Sequence, residues 1–226
     1  MIQGSELGIP QIFTSSADTW LRLFLVSGLA LTCAAIVGAV GIARSDYVTG
    51  ARLHPLPQPV PFSHRHHVGQ LGLDCTYCHT EVTRSARAGL PATDTCMTCH
   101  SQIWTGAPML EPVRQSLAEN RSLTWQRVAR LPDYVYFRHD IHIAKGIGCA
   151  TCHGRVDQMA LTYQAKAFTM QFCLDCHRDP GPNLRPEDRI TDMAWQPTDA
   201  SSVGSRLVEH YGIRLGQITY CYVCHR

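Results

Sequence analysis

A mostly irregular chain with a few short α-helices, hung on one N-terminal transmembrane helix, is the fold class this 226-residue sequence predicts. Three observations carry that prediction. The pentapeptide Cys-x-x-Cys-His occurs five times, at Cys75–His79, Cys96–His100, Cys149–His153, Cys173–His177 and Cys221–His225. Leu23–Ala43 is a run of 21 residues without a charge, bracketed by Arg22 and Arg44. The pattern Phe-x-His-x-x-His, then a Gly-containing spacer and a pentapeptide, occurs at Phe62 and again at Phe137.

The pentapeptide is the attachment signature of c-type haem. Two thiols add across the porphyrin vinyl groups, and the adjacent His reaches the iron. One copy would be ambiguous, because Cys-x-x-Cys also suits zinc or a redox disulfide. Five copies, each with its His, select haem. The attachment residues are then Cys75 and Cys78, Cys96 and Cys99, Cys149 and Cys152, Cys173 and Cys176, and Cys221 and Cys224. The proximal ligands are His79, His100, His153, His177 and His225. These motifs use 10 of the 11 cysteines, so no pair remains for a disulfide framework. The last, Cys33, lies in the apolar run and reads as a small apolar core residue. Five covalently bound haems are expected, and the fold becomes two dihaem repeats plus a fifth haem.

The elements follow in order. Residues 1–22 read as a cytoplasmic tail. Residues 23–44 form the anchor: 21 uncharged residues are long enough to cross a hydrocarbon core of about 30 Å. The run also exceeds the ~7–15 residues of a signal-peptide core, so an uncleaved single-pass anchor is expected. Haem attachment takes place outside a bacterial inner membrane, and every motif lies C-terminal to the anchor. The N-terminus is therefore expected in the cytoplasm and the haem region in the periplasm. Residues 45–61 form a linker with prolines at 55, 57, 59 and 61, a pattern that favours a stiff extended segment. Residues 62–110 are the first dihaem unit, 111–136 a connector and 137–180 the second dihaem unit. Residues 181–226 hold a loop and the fifth haem. Helices are expected from Glu111, where Pro112 suits a first turn, and over Ser201–His210. So little chain around five porphyrins makes the porphyrins themselves the core.

Twelve histidines are present, and five are proximal. His64, His139 and His210 lie 11, 10 and 11 residues before the next motif, so each is expected to ligate the haem that follows it. His67 and His142 are expected to cross to the haems at Cys96 and Cys173, with the pairing undecided. His54 and His66 are surplus; Ile141 stands where the second repeat would match His66. Met109, Met159, Met170 and Met193 leave one His/Met haem open as an alternative. Iron with two protein ligands has no open position for substrate, so electron transfer is expected and no catalytic residue is assigned.

Net charge is +2, and of the 20 basic residues only Lys145 and Lys166 are lysines. Arginine suits carboxylate clamps, haem propionates among them. No basic run or basic–aromatic patch points to nucleic acid. The uncharged run holds no acid, His or Lys to take quinol protons, so a quinol site would involve another subunit.

The stretches PFSHRHHVGQLGLDCTYCHTEV, GLPATDTCMTCHSQIW, LPDYVYFRHDIHIAKGIGCATCHGRVDQM and FCLDCHRDPGP closely resemble the pentahaem cytochrome c subunit of alternative complex III. The resemblance runs from about Pro61 to the end and includes all five motifs. It implies a subunit of a quinol:acceptor oxidoreductase of the respiratory chain. The partners implied are an iron–sulfur periplasmic subunit, polytopic quinol-binding membrane subunits and a monohaem cytochrome c. Membrane lipid and the quinol pool lie upstream, and a soluble carrier or an oxidase downstream. A free-standing membrane-anchored quinol dehydrogenase feeding a periplasmic reductase is the alternative.

Overall fold

A computed structural model describes residues 14–44, 54–197 and 199–225. The expected tail up to residue 13 and the linker from 45 to 53 lie outside the described residues. The chain divides into two compact units, residues 1–48 and 49–226.

The first unit is one helix, α1 (Ser15–Ala43). It starts eight residues before the expected anchor because Thr14 caps it: the Thr14 hydroxyl accepts the Ala17 N–H at 3.3 Å. Asp18 and Arg22 pair at 2.9 Å one turn apart, ahead of the apolar run. Residues 16–43 are long and apolar enough to cross a membrane. The hydroxyls of Ser27 and Thr32 return to the carbonyls of Leu23 and Gly28, which satisfies them without water. Cys33 is exposed on the helix surface, not in a core, since a lone helix offers none.

The second unit is built from short helices between loops. A single π-helical turn spans Arg65–Gln70. Helices α2 (Cys75–Cys78), α3 (Thr93–His100) and α4 (Glu111–Ala118) complete the first half. Helices α5 (His139–Ala144), α6 (Cys149–His153) and α7 (Met170–Arg178) form the second. Two more follow, α8 (Ala200–His210) and α9 (Cys221–Cys224). Each Cys-x-x-Cys pair thus sits on one helical turn. Helix α4 opens at Glu111 with proline in its first turn. The only β pairing among the described residues is two isolated bridges, Val135 with His225 and Ile147 with Leu184.

Apolar side chains do little of the filling. One small cluster joins Val60, Leu110 and Val113; a second joins Ile147, Leu184 and Tyr211. The second cluster explains a glycine. Gly146 has φ +78°, and a Cβ there would meet the Tyr211 ring and lie 2.9 Å from the Arg185 carbonyl. The Tyr211 hydroxyl donates to that same carbonyl at 2.7 Å. The proline segment is not a free spacer at its far end. Val60 is buried, and the Gln58 amide exchanges two hydrogen bonds of 2.9 Å with the Gln126 backbone, much as a strand would.

Candidate functional site

The two Phe-x-His-x-x-His segments fold alike around their phenylalanine. Phe62 meets His64 edge-on at 4.9 Å and stacks on His67 at 4.3 Å. Phe137 meets His139 edge-on at 4.8 Å and lies against His142 at 4.4 Å. One aromatic ring therefore fixes two imidazoles in each repeat. The first repeat does this with a π-turn, the second with an α-turn; both put residues three apart on one face.

Four motif histidines stand opposite four of these rings. His64 faces His79 with centroids 6.5 Å apart and planes 5° apart. His139 faces His153 at 6.3 Å and 7°. His142 faces His177 at 6.1 Å and 29°. His67 faces His100 at 6.3 Å and 65°. A metal bound to a nitrogen of each ring at about 2 Å puts the two centroids roughly 6 Å apart. Twisting one ring about the N–metal–N axis leaves that separation unchanged, so parallel and crossed pairs fit equally. Among the described residues no three His, Cys, Asp or Glu side chains converge on one point. Each opposed pair could hold one metal-bearing group attached through the neighbouring cysteines, and the arrangement does not suit a tetrahedral zinc cage.

The outer ring nitrogens are tied down. Nδ1 bonds a backbone carbonyl in His79 (Gly89, 2.9 Å), His67 (Ser63, 2.9 Å) and His139 (Ala86, 2.9 Å). The same holds in His142 (Arg138, 2.7 Å), His177 (Ile218, 2.6 Å) and His100 (Ile103, 3.3 Å). A carbonyl can only accept, so Nδ1 carries the proton and Nε2 keeps its lone pair for a metal. His64 Nδ1 pairs instead with the Thr162 hydroxyl at 2.8 Å. Burial above all, then neighbouring imidazoles, holds His64 and His153 down at about 4. Burial also lowers His67 and His142. All four are therefore neutral near pH 7, the form that binds metal.

The fifth motif differs. His225 Nδ1 bonds the Tyr134 carbonyl at 3.2 Å, and its ring lies over the Tyr134 ring at 5.8 Å. No ring contact between His210 and His225 occurs among the described residues. His210 is exposed at the end of α8 and meets Tyr211 edge-on. The reason is local: adjacent helical residues point about 100° apart, and Tyr211 takes the inward position. His66 stacks at 6.1 Å over Trp104 and bonds Gln70 at 2.8 Å; His54 is exposed. Of the candidate methionines, Met159 and Met193 are buried, and Met109 and Met170 are exposed.

The Cys75 and Cys149 thiols act on each other across two motifs, which raises Cys75 and lowers Cys149. Burial pushes Cys152 up to about 12 and raises Cys78, Cys96, Cys173, Cys176 and Cys224. Arg138 and Arg155 are committed to Asp140 and Asp157 through paired hydrogen bonds. Arg185 is buried next to Gly148, bonds the Asp192 carbonyl and lies 5.5 Å from the Trp195 ring. Sequence reasoning gave no role to Phe62, Phe137 or Thr162. The two phenylalanines were visible in the repeat; Thr162 carried no signal.

No protein-family model matches the chain. Over 180 residues it is 34% identical to the menaquinone reductase multihaem cytochrome c subunit of Nitratidesulfovibrio vulgaris. The match covers 75% of this chain and 77% of that protein. Identity of that degree along most of both chains, on a scaffold that sets imidazoles in opposed pairs beside Cys-x-x-Cys turns, has one reading: this chain belongs to that family of multihaem cytochrome c subunits.

Proposed function

We propose that the chain is a pentahaem, membrane-anchored electron-transfer subunit of alternative complex III, taking electrons from quinol oxidation to a periplasmic acceptor. The observation that carries the electron-transfer role is the set of four opposed imidazole pairs at 6.1–6.5 Å. Imidazoles on both sides close an iron to substrate, and the bound haem supplies reversible one-electron chemistry there. His64 with His79 and His139 with His153 hold the haems of Cys75 and Cys149. His67 with His100 and His142 with His177 hold those of Cys96 and Cys173. His225 serves the haem at Cys221, for which His210 is the ligand expected from spacing. Helix α1 anchors the chain with its N-terminus in the cytoplasm and the remainder in the periplasm. Quinol protons have no acceptor in Leu23–Ala43, so the quinol site belongs to polytopic membrane partners. The iron–sulfur subunit, the monohaem cytochrome and a downstream carrier or oxidase complete the path.

One observation favours a second reading. The relative is a menaquinone reductase subunit, which gives electrons the opposite direction, toward quinone. Purification from native membranes under mild detergent tests both. A large stable assembly with five covalent haems per chain, reduced by quinol, is the expected result. A lone chain, or an assembly that reduces menaquinone from a periplasmic donor and is not itself reduced by quinol, sinks the proposal.

A further inference from the structure

The pentahaem reading leaves the spatial sequence of the five motifs open, and the contacts between motifs close it. Inside the motif at Cys75, the Tyr77 hydroxyl bonds the Thr98 hydroxyl inside the motif at Cys96, at 2.9 Å. Three bonds tie the region of the motif at Cys75 to that of the motif at Cys149: His64 to Thr162 at 2.8 Å, His139 Nδ1 to Ala86 at 2.9 Å and the Asp140 N–H to Ser85 at 3.2 Å. Phe168 bridges the motifs at Cys149 and Cys173, 6.4 Å from His153 and 5.8 Å from Phe172, the neighbour of Cys173. The last link joins His177 Nδ1 to the Ile218 carbonyl at 2.6 Å, three residues before Cys221.

No hydrogen bond or ring contact joins the motif at Cys96 to those at Cys149, Cys173 or Cys221 among the described residues. None joins the motif at Cys75 to those at Cys173 or Cys221. We infer that the motifs form one unbranched series in the order Cys96, Cys75, Cys149, Cys173, Cys221, with Cys96 and Cys221 as its two ends. The order departs from the sequence. The two repeats meet through the first motif of each, and the second motif of each points away from that junction. Each transfer along the series moves one electron from a reduced to an oxidised neighbour and no proton or atom, so the series needs no acid or base between its links. Electron-donating and electron-accepting partners then engage opposite ends, one at Cys96 and one at Cys221. This inference rests on the pentahaem reading.

Two measurements test it on the haem-loaded complex. Intact mass first counts haems per chain: fewer than five overturns the pentahaem reading and the order with it. With five present, cryo-electron microscopy should show the four shortest iron–iron separations linking the motifs in the inferred order, and the longest between Cys96 and Cys221. Any other linkage overturns the order alone. The variant Cys75→Ala with Cys78→Ala then removes one inner link. Rapid mixing with reductant should split the four remaining haems into one and three, one group losing its fast phase. Removal of an end, as the sequence order would make it, leaves four haems responding together, and that result overturns the inference.

Discussion

The hydroxyl of Thr162, beyond the third motif, bonds Nδ1 of His64, ahead of the first, at 2.8 Å. The ring that faces His79 is thus held from the other repeat. Thr162→Val keeps the shape and removes the partner. We expect about 1 kcal/mol of lost stability and a shift in the potential of one haem, with five haems retained. Thr162→Ser should restore both. Redox titration of the three proteins checks this, and an unmoved potential in the valine variant rules the role out.

The crossing histidines make separable predictions. His67→Ala should open the iron held by His100, and His142→Ala the iron held by His177. Each variant should bind carbon monoxide at one haem, and the double variant at two, when reduced spectra are scaled to haem content. Saturation of the double variant at one haem would mean that both residues serve the same iron.

His210→Ala tests the ligand proposed for the fifth haem. The variant should gain one carbon monoxide site and lose one low-spin haem. An unchanged low-spin count would mean that the ring, which lies exposed beside Tyr211, does not serve that iron.

Gly146→Ala should destabilise the haem region by about 1–3 kcal/mol, since the site needs positive φ and the Tyr211 ring and Arg185 carbonyl leave no room. Denaturant melts followed at the haem bands measure it. A wild-type midpoint would show that the Tyr211 cluster yields.

Asp199 gives the pH prediction. Its carboxylate accepts bonds from Ser202 and Ser201 at the start of α8, which holds it down at about 2 from its ordinary 3.8. The folded value lies below the unfolded one, so its contribution is present above about pH 4 and lost as pH falls toward 2. The advantage of wild type over Asp199→Ala in thermal melts should therefore be constant from pH 7 to 5 and shrink below 4. A pH-independent difference would mean that charge plays no part in the cap.

Local chemistry was legible in the sequence. Attachment by Cys-x-x-Cys-His needs only residues within one turn, so the five motifs could be read without a fold. Spanning length depends on uninterrupted apolar residues, so the run inside α1 could be read too, although the Thr14 cap that lengthens it could not be told from a tail. Tertiary structure decided what depends on residues far apart. Which motif faces His67 or His142 is set by how the loops close, and nothing in a Phe-x-His-x-x-His triplet encodes that. Spacing put His210 ahead of the fifth motif; that its ring lies exposed beside the buried Tyr211 depends on how the end of α8 packs. Thr162 reaches His64 across 98 positions, and a lone threonine gives no sign of such a partner. The order inferred for the motifs has the same cause, because Ala86 and His139, 53 positions apart, bond only when the two repeats pack.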